Sequence, residues 1–183
     1  MKRILISLAI ACMALCTYAQ KNLPVGIRSE ITEIEQNDDT FSLFKYKDQD
    51  ESVGYYLSLL HTNGSVSFEI LEMGSTSISS FDECCLSLGE NYDQVLETLT
   101  GLVDLFSEPS GTTRELEARR SNGAERLTDT LTVNCILRKG LLGKHLAIQF
   151  EGRKHPAEVQ LSKSTLKSLI SGVKFYRKLH PEK

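Results

Sequence analysis

The sequence predicts an α+β protein in which an antiparallel β-sheet carries two amphipathic helices. Several segments alternate apolar and polar residues, turn residues separate these segments, and two further segments repeat apolar residues at helical spacing. A unit of hairpin, strand and helix occurs twice, about 75 residues apart. This arrangement indicates a tandem repeat.

The first twenty residues have the layout of a secretory signal peptide. A positive start, Lys2-Arg3, precedes an apolar run over residues 4–15, and small residues stand just before Gln20. The apolar run is too short to span a bilayer. We therefore expect residues 1–19 to be removed, although a retained buried helix is the alternative. The mature chain, residues 20–183, is then exported to the periplasm or the outside of the cell, without membrane insertion.

This leader, followed by glutamine, resembles the leaders of exported proteins of Bacteroidetes-type bacteria. The resemblance covers the leader alone and implies no function. A lipid anchor is not expected, because Cys12 comes too early in the apolar run and Cys16 follows Leu15 rather than a small residue.

The mature chain is long enough for one well-cored domain, which the repeat would divide into two similar halves. The halves differ in charge, because residues 20–110 carry a net −13 and residues 111–183 a net +8. Three interpretations stay open. The halves attract each other within the fold, the basic half faces an acidic protein or anionic glycan, or chains self-associate through the two halves.

Two hairpins are predicted around asparagine-containing turns in the first half. A leading hairpin covers residues 27–46 and turns at residues 37–39. The next one joins the alternating segments 53–59 and 66–70 through Asn63-Gly64, a pair suited to a type I′ turn. The residues aligned by this turn would be Leu59 with Phe68 and Leu57 with Ile70.

The segment Cys84–Leu88 admits two interpretations. Its alternation favours a strand, as does the matching position of Val159–Leu161 in the second half. Ser80 and Glu83 instead form a capping-box pattern, which favours a helix. We prefer the strand.

In the second half, one segment is expected outside the core and one hairpin within it. Residues 111–126 are polar and fit an exposed hairpin or a loop. Residues 131–137 and 146–150 alternate and are joined by Gly140–Gly143. This loop would align Cys135 with Ile148 and Leu137 with Leu146.

Two helices complete the prediction. The first follows Asn91 as N-cap and repeats apolar residues as far as Val103. The second follows Ser162 or Ser164 and repeats them over residues 166–173. Each has a single apolar stripe, so each should lie against the sheet.

Three cysteines stay in the mature chain, so at least one thiol is unpaired unless two chains are bridged. Cys84 and Cys135 both fall on predicted core faces. A Cys84–Cys135 disulfide and buried free thiols are both consistent with export. A catalytic Cys84 or Cys85 is disfavoured, because no histidine is near in sequence and the adjacent Asp82 and Glu83 would raise a thiol pKa.

Basic residues of the second half form the predicted interaction surface for an anionic partner. Aromatic residues are not interleaved with them and tryptophan is absent, so nucleic-acid binding is not expected. The residues of this surface are Arg119, Arg120, Arg126, Arg138, Lys139, Lys144, Arg153 and Lys154.

No motif predicts a metal, a cofactor or a named catalytic residue. The four histidines are scattered, and the acidic loop Asp48–Ser52 lacks the glycine and closing glutamate of a calcium loop. A phosphate-binding glycine loop and a nucleophile elbow are both absent from the sequence. Acid pairs, Asp48 with Asp50 or Glu69 with Glu72, are the remaining enzymatic candidates.

We therefore expect a non-enzymatic binding or protein-interaction module. One alternative is a hydrolase or lyase whose site assembles only in three dimensions, and it requires a cleft with convergent titratable groups. The other is a secreted inhibitor or assembly partner that uses the charge asymmetry.

Overall fold

A computed structural model describes residues 26–36, 39–70, 74–121, 127–141, 143–151 and 156–181. Within these ranges it describes only the backbone of residues 62–82, 121 and 129. Eight antiparallel strands form one sheet, and two helices accompany it, which confirms the predicted α+β class. The order of the strands in the sheet is their order in the chain.

The first half of the chain supplies β1 (Ile27–Gln36), β2 (Asp39–Lys47), β3 (Val53–Ile70), β4 (Gly74–Gly89), helix α1 (Tyr92–Asp104) and a 3₁₀ turn (Leu105–Ser107). The second half supplies β5 (Thr113–Ser121), β6 (Leu127–Gly140), β7 (Gly143–Glu151), β8 (Pro156–Ser162) and helix α2 (Lys163–Leu179).

Each half thus contributes four strands followed by a helix, one strand more than the repeat unit that the sequence suggests. Pairing of β4 with β5, with Leu86 opposite Ala118, joins the halves into one sheet. The main core lies between the inner face of this sheet and both helices, and residues of both halves fill it.

Both helices begin where the sequence predicts. The Asn91 side chain accepts a hydrogen bond from the Gln94 backbone N–H at 3.0 Å, and the Ser162 hydroxyl accepts one from the Thr165 N–H at 3.0 Å. Ser162 is therefore the N-cap of α2, and Ser164 is not. The apolar stripes of both helices are buried against the sheet.

The prediction of a turn at Asn63-Gly64 is wrong. Strand β3 continues through these two residues, where its register with β4 shifts, and Leu59 lies opposite Cys84 instead of Phe68. The longer ladder is favoured because it also sets Leu57 against Leu86 beneath the helices. The pairing of β3 with β4 continues as far as Ile70 opposite Gly74.

The segment 111–126 also differs from its prediction. Residues Thr113–Ser121 form β5, an interior strand of the sheet, and Leu116 and Ala118 are buried in the main core. Two apolar residues suffice for the inner face of β5. The sequence of the segment is therefore mostly polar, although the strand lies inside the sheet. Residues 122–126 lie outside the described part of the chain.

The other strand predictions are confirmed. Cys84–Leu88 belongs to β4 rather than to a helix. The β6–β7 hairpin aligns Cys135 with Ile148 and Leu137 with Leu146, as expected. Its glycines, Gly140 and Gly143, face each other across the turn.

The sheet curls so far that its two edge strands are linked by one side chain, that of Gln36 at the end of β1. Its amide donates to the Gln160 carbonyl of β8 at 2.9 Å, and its oxygen accepts from the Ser162 N–H at 3.4 Å and from the Thr165 hydroxyl. Helix α2 then crosses β1 closely enough that a Cβ on Gly172 would come within 2.9 Å of Thr32. We call the Gln36 contacts the edge clip.

Candidate functional site

A cleft of about 590 Å³ opens at one end of the molecule, between the starts of β1 and β3, the end of β2 and the end of α2. Its volume is typical of small-molecule sites. We call it the aromatic cleft and define it by six of its lining residues, which are Lys45, Lys47, Tyr55, Tyr92, Tyr176 and His180.

The aromatic rings of the cleft form a continuous series across three elements. The ring centroids of Tyr55 and Tyr92 are 5.2 Å apart, and those of Tyr92 and Tyr176 are 6.4 Å apart. The His180 ring lies 4.4 Å from that of Tyr176. Tyr55 and Tyr92 are buried and form the floor, whereas His180 is exposed at the mouth.

Positive charge lies beside these rings. The Lys45 ammonium is 5.9 Å from the centroid of the Tyr55 ring, a cation–π distance. Lys47 is 3.3 Å from the exposed Glu51 carboxylate, while Lys45 forms no ion pair with any described residue. Glu90 is the acidic residue that lines the cleft. The accessible part of the cleft therefore combines the partly exposed Tyr176 ring and the exposed His180 ring with the ammonium group of Lys45.

The structure does not support a Cys84–Cys135 disulfide. Cys84 faces Arg120 and Cys135 faces Arg114 along β5, so the two cysteines are separated by six residues of strand, roughly 20 Å. A disulfide requires Cα atoms within about 7 Å. All three described cysteines are buried free thiols.

Burial also makes these thiols poor nucleophiles. It raises the pKa of Cys84 to about 12 and that of Cys135 to about 11. Burial, assisted by the charge of Glu83, raises the pKa of Cys85 as well. A role in covalent catalysis would require the opposite shift.

Three of the five described residues of the predicted basic surface form ion pairs within the protein. Arg119 is 3.6 Å from Asp48, Arg120 pairs with Glu151, and Arg138 is 3.0 Å from Glu158. The Lys144 ammonium donates to the Phe106 carbonyl at 3.1 Å. Lys139 is exposed, and the remaining members, Arg126, Arg153 and Lys154, lie outside the described residues. Among the described residues of that surface, Lys139 and Lys144 form no ion pair, so two of its five positive charges are not neutralised by a carboxylate.

A second polar group, on the outer face of the sheet, forms a closed network. Arg28 donates to Glu30 at 2.6 Å and to Glu83 at 3.1 Å, and its guanidinium lies 3.9 Å above the Phe44 ring. Burial opposes the charged form of Arg28, but both carboxylates raise its pKa. The Ser58 hydroxyl also donates to Glu83, at 2.6 Å. We interpret this network as structural.

The other acid and histidine candidates lie apart from the cleft. Asp48 and Asp50 belong to the β2–β3 loop, where the Asp50 carboxylate accepts the Ser52 N–H at 3.0 Å. His61 contacts Asp39 at 2.8 Å across β2 and β3. The side chains of Glu69 and Glu72 lie outside the description. Within the described ranges, no group of three metal-ligating side chains converges.

Sequence reasoning missed the aromatic cleft. Its tyrosines come from β3, α1 and α2, and only the packing of the three elements brings them together. The reasoning also missed a row of lysines on α2, for which a signal was present, namely their helical spacing.

Comparison with models of known protein families finds no match for this chain, and comparison with curated protein sequences finds none either. Among the described residues, no helix is both long and apolar enough to cross a membrane.

Proposed function

We propose that this protein is an exported, non-enzymatic binding module that takes a small anionic ligand with a flat apolar face into the aromatic cleft. Acidic sugars are the ligand class that we favour. The observation that carries the proposal is the lysine beside a series of tyrosine rings in a cleft of ligand size.

The chemistry of the cleft supports this class of ligand. A pyranose ring presents a flat C–H face, which packs against an aromatic ring much as another ring does. The partly exposed Tyr176 ring and the exposed His180 ring offer this surface, above the buried Tyr55 and Tyr92. Its carboxylate or sulfate group would form a charge-assisted hydrogen bond with Lys45, which lies next to the Tyr55 ring. Export, if the leader is removed as expected, would place the module where acidic glycans occur.

Tyrosine fluorescence offers a direct test, because the chain contains no tryptophan and three of its tyrosines line the cleft. Titration of residues 20–183 with digalacturonate should change the emission saturably, whereas the neutral galactobiose should not. Lys45→Met should weaken digalacturonate binding about tenfold, the value of one charge-assisted hydrogen bond.

Lys139→Met, at the distant β6–β7 hairpin, is the matched control and should bind like the wild type. The proposal fails if neither digalacturonate nor a sulfated heparin disaccharide gives a saturable change, or if the Lys45 and Lys139 variants behave alike.

A hydrolase or lyase is the second candidate, because Glu90 and His180 both line the cleft and could supply an acid and a base. His180 has no carboxylate partner among the described residues, whereas a general base is usually oriented by one. Mass spectrometry of digalacturonate after incubation with the protein distinguishes the two, since release of monosaccharide or unsaturated product would establish the enzyme.

A further inference from the structure

The outer surface of the helix layer carries two helices of opposite charge, side by side. Helix α1 contains three acidic residues and no basic one, and helix α2 contains five basic residues and no acidic one. The acidic row of α1 consists of Asp93, Glu97 and Asp104. The lysine row of α2 consists of Lys163, Lys167, Lys174 and Lys178, and all seven side chains are exposed.

Most of these charges have no partner within the described structure. Asp93 pairs with Arg177 at 2.6 Å. Glu97, Asp104 and the lysine row form no ion pair with any described residue. Next to the lysine row, Phe175 and Leu179 are 65% and 60% exposed, unusually high values for large apolar side chains.

The spacing of the two rows is complementary when the helices run in opposite directions. Along α1, the intervals between the acidic residues are four and then seven positions, at Asp93, Glu97 and Asp104. Along α2, taken from its C-terminal end, the lysines have the same intervals, at Lys178, Lys174 and Lys167. Facing helices would therefore align Asp93 with Lys178, Glu97 with Lys174, and Asp104 with Lys167.

Within one chain the two helices already lie antiparallel at matching levels. The start of α1 meets the end of α2 through Asp93 and Arg177, and Lys163 at the start of α2 is 5.9 Å from the Phe106 ring just beyond α1. A 180° rotation about an axis parallel to the helices leaves the position of each residue along that axis unchanged. It would place α1 of a second copy over α2 of the first, in the register given by the spacing, and α2 over α1 at the same time.

We propose that the helix layer is a self-complementary surface on which a second copy of this chain docks, with the acidic row of each copy on the lysine row of the other. Helix α1 is about 20 Å long and two helices together are about 20 Å wide, so each copy would bury roughly 400 Å². Stable interfaces bury about twice that area. The dimer is therefore weak, sensitive to salt and visible at micromolar concentrations or above.

Sedimentation velocity of residues 20–183 tests this proposal, with circular dichroism to verify that each variant folds. At 50 mM NaCl the wild type should form dimers at tens of micromolar, and at 500 mM NaCl it should be monomeric. Lys174→Glu and Glu97→Lys should each raise the dimer dissociation constant at least tenfold, because each introduces two like-charge contacts per dimer. Lys139→Glu, outside the helix layer, should leave the dimer intact.

Mixing the two variants is the decisive measurement. In the mixed pair every altered position would face its opposite charge again, so dimers should return when the Lys174→Glu and Glu97→Lys proteins are combined. A monomeric wild type at low salt, or a mixture that stays monomeric, overturns the proposal. Lysine-dependent binding of polyglutamate by a monomeric wild type also overturns it and identifies an acidic partner instead.

Discussion

Solvent exclusion decides the chemistry of the three cysteines. Cys84 and Cys135 face the main core, and Cys85 faces the outer cluster formed with Phe44, Tyr46, Tyr56 and Leu127. A thiolate at any of these positions would lose its hydration without gaining a neighbouring cation close enough to compensate. These residues therefore behave as small apolar side chains.

We expect all three thiols to resist modification in the folded protein. Ellman's reagent at pH 8 should react slowly with native residues 20–183 and should label three thiols per chain rapidly in guanidinium chloride. A single reactive thiol in the denatured protein would show instead that two of the cysteines form a disulfide, which the structure does not support. A thiol that reacts quickly in the native protein would contradict its burial.

The same shifts set the sign of a pH effect on stability. Because the pKa of Cys84 rises from 9.0 to about 12 on folding, the unfolded chain loses this proton first. The free energy of unfolding should fall as the pH rises above about 9, by up to roughly 1.4 kcal/mol per pH unit for each such thiol. Replacing Cys84 with alanine should flatten this slope in urea titrations.

Local turn chemistry predicts a structural element well where no competing partner exists. The Gly140–Gly143 loop gives the register of β6 and β7, because both strands have their apolar rows already aligned. Asn63-Gly64 has equally good turn chemistry, yet β3 finds a longer partner in β4. Strand β5 escapes prediction for a related reason, since its few apolar residues become visible as core only when two neighbouring strands enclose them.

The edge clip is an element whose loss should be measurable. Gln36→Ala removes the hydrogen bonds to Gln160, Ser162 and Thr165, and should lower the free energy of unfolding by about 1–2 kcal/mol in urea. Gln160→Ala, which keeps the backbone carbonyl and removes an exposed side chain, should cost less than about 0.5 kcal/mol. Equal effects of the two variants would show that the clip does not hold the edges together.

At the scale of the whole molecule, two ion pairs link the oppositely charged halves of the chain. Arg119 reaches Asp48 and Arg177 reaches Asp93, each from the basic half to the acidic half. The sequence reveals this asymmetry but not its spatial arrangement. The aromatic cleft is likewise hidden, because its tyrosines lie at positions 55, 92 and 176 and no local pattern connects them.

The halves share one sheet and one core, so neither should fold without the other. Expressed separately, residues 20–110 and 111–183 should each show the narrow amide dispersion of unfolded chains in NMR spectra. The intact protein should unfold in a single transition. Native-like spectra from either fragment alone would show instead that the repeat consists of two independent domains. An equimolar mixture of the fragments that regains the native spectrum would support the shared core.

The agreement between strand order and chain order has a kinetic consequence. Each strand pairs with the strand just before it in the chain, so most of the sheet can form progressively, with short loops between most strands and helix α1 between β4 and β5. The exception is the seam where Gln36 meets Ser162, since its two sides are separated by 126 residues. The seam can close only after nearly the whole chain has been synthesised, so its closure is the natural last step of folding. For the same reason it is the first contact to break when mechanical force is applied to the fold.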